Sequence, residues 1–231
     1  MNEALCSILC REERWTYHES DNRFIKFNKD GSGEVCTSSV ALYHSSLGRV
    51  LTLKWKLWCR VGLPFFIAAE LEWKSLSPPQ PDEIVEAAGA RWTRKPHFMG
   101  QLNLEITLTK RLAPGLPSWL AKGVNDYRLF DDAFRTKRFT ARIERGNFKE
   151  PSWAGFGDEY ESLMPRYALR LLFDKSPYPP RDEWKKPEEG PDGNDFWDHV
   201  EFVGRSSPEL KKEERAMNDV NAAGWARCVM S

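Results

Sequence analysis

Between Leu51 and Lys74 apolar and polar side chains alternate in two runs. Leu51, Leu53, Trp55 and Leu57 interleave with Thr52, Lys54, Lys56 and Trp58, and Ile67, Ala69, Leu71 and Trp73 with Ala68, Glu70, Glu72 and Lys74. A period of two puts one set on each side of an extended chain, so each run reads as a half-buried strand. Folding about Gly62-Leu63 sets Leu53 opposite Leu71 and Lys54 opposite Glu70, which predicts a β-hairpin with an apolar and a salt-paired face.

The same alternation recurs along the chain. Arg14–Glu19, Arg23–Asn28 and Glu34–Ser38 read as strands, the last two joined across the Gly-rich turn NKDGSG, where Gly31 or Gly33 supplies positive φ. Further strands are expected at Arg91–Thr93, Leu102–Leu112, Tyr127–Phe130, Arg138–Glu144, Tyr167–Asp174 and within Phe196–Gly204. Asn2 can cap a helix over residues 1–12 with Leu5, Ile8 and Leu9 on one side, suited to closing a barrel end. Pro-rich SPPQPDEIVEAAGA breaks the sheet, with one helical turn expected from Asp82, and APGLPSWLAKGVND reads as loop. Residues 176–195 form a charged, Pro-rich wrap, and Ser207-Pro208 opens a C-terminal helix over 207–224. About eight to ten short strands in sequential hairpins favour an all-β, antiparallel up-and-down barrel, one domain over 1–231.

Composition narrows the chemistry. Lys+Arg and Asp+Glu are both 34, so no net charge draws the chain to nucleic acid or an acidic membrane, and neither partner is expected. No apolar run is long enough to span a bilayer or serve as a signal core. Five cysteines at irregular spacing give neither a disulfide framework nor a zinc site, which points to a reduced, cytoplasmic protein. Asn28, Asp30 and Ser32 match oxygen positions of a calcium loop, but Ser39 stands where a bidentate carboxylate is required. His18, His44, His97 and His199 are scattered; His199 and Glu201 share a strand face without a third ligand and read as exposed polar positions. No metal and no cofactor is expected, and hydrolase and nucleotide-binding motifs are absent.

What remains is the set of aromatic side chains on strand faces. Trp55, Trp73, Phe139 and Phe173 are candidate walls of a pocket for an apolar small molecule, in a barrel with room for one such ligand. His97 and Tyr127, each beside a loop at a barrel mouth, are candidate catalytic groups. Glu70, Glu72, Glu105, Arg142 and Glu144 occupy the opposite faces, as solvated cross-strand charges or as a polar interior.

The runs FIKFNKDGSGEV, FFIAAELEWK, LNLEITLTKRL and LRLLFDKSPYPPRDEW, within Trp15–Trp184, resemble those of small uncharacterised proteins from filamentous fungi. The outline is also similar to lipocalin-like proteins, with Trp15 placed like their first-strand tryptophan and Glu13 where they carry glycine. Some lipocalin-like proteins of fungal natural-product pathways fold an apolar substrate and promote its cyclisation. That resemblance implies a cofactor-free isomerase or cyclase, of the pericyclase kind among them. The other expectations are a non-catalytic carrier with the same pocket, and an interaction module with a filled core that uses the Pro-rich wrap.

Overall fold

The computed structural model describes residues 3–18, 23–38, 65–76, 96–154 and 165–206. Helix α1 (Glu3–Arg11) precedes eight strands: β1 (Trp15–His18), β2 (Arg23–Phe27), β3 (Ser32–Ser38), β4 (Phe65–Ser75), β5 (His97–Leu112), β6 (Lys137–Phe148), β7 (Tyr167–Phe173) and β8 (Glu201–Ser206). Each pairs antiparallel with the next, and β8 returns to β1, so the sheet closes into an up-and-down barrel. Closure leaves no unpaired edge. The stretches 51–58, 77–93 and 207–224, with the strand, turn and helix expected there, lie outside the described residues, as does Asn2.

Alternation chooses the inward face as the pattern requires. Trp15, Ile25, Val35, Leu71, Leu104, Phe139, Leu171 and Phe202 belong to one buried cluster that runs from α1 to Phe196. The intervening charges face out and pair across strands. Arg111 binds Glu70 and, at 3.0 Å, Glu72; Glu105 takes Lys74 at 2.6 Å and Arg138 at 3.0 Å. Glu144 is buried beneath Arg170, at 2.6 Å, and Arg142, at 3.3 Å.

Three expectations are corrected. β4 takes β3 on one edge and β5 on the other, with Leu71 opposite Gly33 and Leu108, so it is not the partner of Leu53. Glu70 likewise lies opposite Glu34 rather than Lys54. Tyr127–Phe130 is not a strand: Asn125–Tyr127 is a 3-10 turn, and Leu129 makes a single bridge to Trp184. Asn125 holds a left-handed φ of 52°, and its amide clamps β4 by accepting from Ala68 N at 3.0 Å and donating to Ala68 O at 3.2 Å. Capping a strand backbone with both ends of one amide uses up the bonds that an extended run would need.

The turn after β2 forms as expected. Gly31 sits at φ 84°, Asp30 accepts from Ser32 N at 2.9 Å, and Asn28 donates to Ser32 Oγ at 3.0 Å. Both ends of the barrel are occupied. At one, α1 buries Leu5, Cys6 and Leu9, and Trp15 Nε1 donates to Leu9 O at 3.0 Å. At the other, the connection from β7 to β8 runs across as short 3-10 turns and buries Tyr178, Trp184 and Phe196. The expected wrap is therefore part of the core. No helix among the described residues is long and apolar enough to cross a membrane.

Candidate functional site

The residues singled out on sequence scatter. His97 is the exposed first residue of β5, opposite Arg145. Tyr127 is 61 % exposed in a turn beside the far end of that strand, where Asn125 Nδ2 donates to Arg111 O at 3.3 Å. From His97 to Arg111 is about 45 Å of strand at ~3.3 Å per residue, so the two groups do not share a site. Trp55 lies outside the described residues. Trp73 is half-buried, and its Nε1 donates to Asn28 O and Ser32 O at 3.0 Å, locking the turn, while its ring packs edge-on to Phe27 at 5.4 Å. Phe139 and Phe173 do come together, buried and edge-to-face at 6.0 Å.

A different constellation gathers at the barrel end where β1 and β3 finish and β2 begins. His199, read on sequence as exposed, is 4 % exposed and precedes β8, while Glu201 turns to Arg170 at 3.2 Å. The His199 ring stacks on Tyr17 with centroids 3.5 Å apart and planes 11° from parallel. Phe196 and Tyr178 close two further sides, edge-on at 5.7 Å and 5.9 Å. The Asn194 backbone lies near the ring, and Nδ1 is buried with no hydrogen-bond partner among the described residues. Burial, and then the nearby Arg23 guanidinium, push the imidazole pKa down to about 3. It is neutral at any ordinary pH, so one of its two nitrogens is an acceptor.

The neighbours are held firmly. Arg23 donates to Asn194 Oδ1 at 2.7 Å and to Ser38 O at 3.3 Å, with its guanidinium 5.4 Å from the Phe196 ring centroid. Tyr178 donates to Cys36 O at 3.3 Å, and burial raises its phenol well above the ordinary value. Burial also raises Tyr17, against the lowering field of Arg23. Between Cys36 and Ser38 stands Thr37, 0 % exposed, on the inward face with Val35, and its Oγ1 also meets no partner. Most buried polar atoms in proteins are paired, because an orphan costs about 1–3 kcal/mol. Two such orphans, His199 Nδ1 and Thr37 Oγ1, lie at this one barrel end.

Sequence reasoning missed these groups because they meet only in space. Tyr17, Arg23, Thr37, Tyr178 and His199 come from four strands or their flanks and from the wrap. The one available signal was His199 directly preceding an alternating run. Among the described residues no group of three or more His, Cys, Asp and Glu side chains could hold a metal ion. Comparison with protein-family models, curated proteins and solved structures finds no match to this chain.

Proposed function

We propose that the barrel binds one largely apolar small molecule by its Tyr17–Thr37–His199 end and promotes its isomerisation or cyclisation without a cofactor. The observation that carries this reading is the buried, unpartnered His199 Nδ1. A ligand hydrogen-bonding to Nδ1 with one polar group and to Thr37 Oγ1 with another would satisfy both orphans. Its apolar body would pack on rings of the inward cluster such as Phe173 and Phe202, which stand edge-to-face at 5.9 Å.

An imidazole with a pKa near 3 is poorly matched to proton transfer at neutral pH. The chemistry it suits is orientation: fixing one end of a flexible chain so that reacting atoms meet, a contribution of up to ~7–11 kcal/mol in well-oriented systems. Ring closure by electron reorganisation needs nothing more. Carriage without turnover uses the same site and differs only in outcome.

A second reading, an interaction module with a filled core, draws on the unbroken ring chain Phe139–Phe173–Phe202–Tyr178, with successive centroids at 6.0, 5.9 and 5.9 Å. Titration with retinol, a neutral polyene alcohol, followed by tryptophan quenching separates the readings. Saturable binding at one site, weakened about tenfold in His199→Phe, supports the ligand site. Non-saturable partition, or identical binding by His199→Phe, supports the filled core. Conversion of a polyene substrate faster than in buffer would then distinguish catalysis from carriage.

A further inference from the structure

We infer that a second site, for a small organic carboxylate, lies on the outer wall of the barrel where β8 closes on β1. A pocket of about 420 Å³ opens there, lined among others by Glu12, Arg14, His18, Phe24, Tyr167 and Arg205. That volume falls in the lower part of the ~300–1,000 Å³ range of ligand sites. The pocket is outside the barrel, because Thr16 pairs with Phe24 on one side and Val203 on the other, and all three line it. Their neighbours Trp15, Ile25 and Phe202 belong to the inward cluster.

The local backbone is arranged for this pocket. Glu12 is 6 % exposed and pairs with Arg205 Nη2 at 2.9 Å. A Cβ on Gly204 would stand 3.0 Å from Glu12 Cγ and 3.2 Å from Oε2, so glycine is what lets the carboxylate lie against β8. Arg205 then adopts φ 55° inside a strand. The left-handed region costs a non-glycine residue on the order of 1–3 kcal/mol, and such strain persists where surrounding contacts enforce it, often at functional sites. The enforced result is a guanidinium anchored by Glu12, with its side chain still about half exposed at 49 %.

A second guanidinium, that of Arg14, stands 4.3 Å from the centroid of the Phe24 ring. The half-exposed Arg205 fork, with Arg14 beside it, matches a planar carboxylate, whose oxygens the forks take in a pocket walled in part by Phe24 and Val203. Glu13 at the rim is exposed, and solvent and salt screen it. His18 is buried and stays neutral, so it adds no charge of its own. An amine of the same shape gains nothing from either fork. This site is independent of the one at the barrel end.

Saturation-transfer NMR with benzoate, benzamide and benzylamine on the full chain tests it. Benzoate should bind saturably and at least tenfold more tightly than benzamide or benzylamine. Arg205→Gln should weaken benzoate about tenfold, whereas Thr37→Val and His199→Phe, at the other site, should leave it unchanged. If Arg205→Gln unfolds through loss of the Glu12 pair, Arg14→Gln, which leaves that pair intact, decides. Benzamide binding as well as benzoate, or a folded Arg14→Gln with wild-type benzoate affinity, would overturn the assignment.

Discussion

Thr37→Val exchanges a hydroxyl for a methyl at a position on β3 that is 0 % exposed and whose Oγ1 has no partner among the described residues. Both side chains are β-branched, so strand preference and rotamer entropy nearly cancel. What remains is the desolvation penalty of an unbonded hydroxyl, about 1–3 kcal/mol in protein mutational data. No hydrogen bond is lost in return, so the substitution should stabilise the fold by that amount. For a chain of 150–250 residues each kcal/mol moves Tm by ~2–4 °C, which gives a rise of about 2–12 °C. Urea and thermal unfolding followed by tryptophan fluorescence measure it, and the same variant should bind retinol more weakly. More stable but less able to bind is the expected mark of a polar atom kept for a ligand. A loss of about 1 kcal/mol or more would refute the reasoning, since it would mean that the hydroxyl already makes a bond within the fold.

The two buried histidines make a prediction about acid. Burial and then the charge of Arg23 lower His18 to about 4 and His199 to about 3, against an ordinary 6.5. Between those values and 6.5 the unfolded chain holds more protons than the folded one, so stability is complete above pH 6.5 and falls as pH drops toward 4 and 3. Urea midpoints measured from pH 7 to 4 should decline, less steeply in His18→Phe/His199→Phe; a flat profile in the wild type would contradict the burial of these rings. In Gly33→Ala the new Cβ would collide with the Lys26 carbonyl oxygen and lie 2.7 Å from Leu71 Cδ1. Backbone cannot yield as a side chain can, so about 3 kcal/mol should be lost; a loss under about 1 kcal/mol would show that β2 and β3 part easily.

The barrel was legible where alternation is long and uninterrupted. β5, β6 and β7 alternate apolar and polar residues, and each strand forms where that pattern lies. Partner choice was less legible, because a period of two fixes a face and says nothing of the neighbour. The hairpin drawn from Leu51 to Lys74 paired β4 locally, whereas β4 lies between β3 and β5. Tyr127–Phe130 misled because a short aromatic and apolar run imitates a strand, while Asn125 takes its place against Ala68. The candidate site was hidden for a related reason. Proline spacing made the wrap look like surface, although Tyr178, Trp184 and Phe196 carry it into the interior, and His199 follows them inward. Trp73 looked like a pocket wall from its strand face, but its indole N–H goes to two turn carbonyls, a use that no strand pattern encodes.

The meeting of the first and last strands has a consequence for how the chain is made. Thr16 and Val203, which register β1 against β8, are separated by 187 positions. During synthesis the opening strand emerges long before its final neighbour exists, and α1 must wait for β5 to receive Leu5 over Gly100. Joining such distant points carries a large entropic cost before any contact repays it, which places assembly among the slower, millisecond-to-second folders. Until the last strand arrives, the nascent sheet keeps two raw margins exposed, and those margins are where mispairing would start.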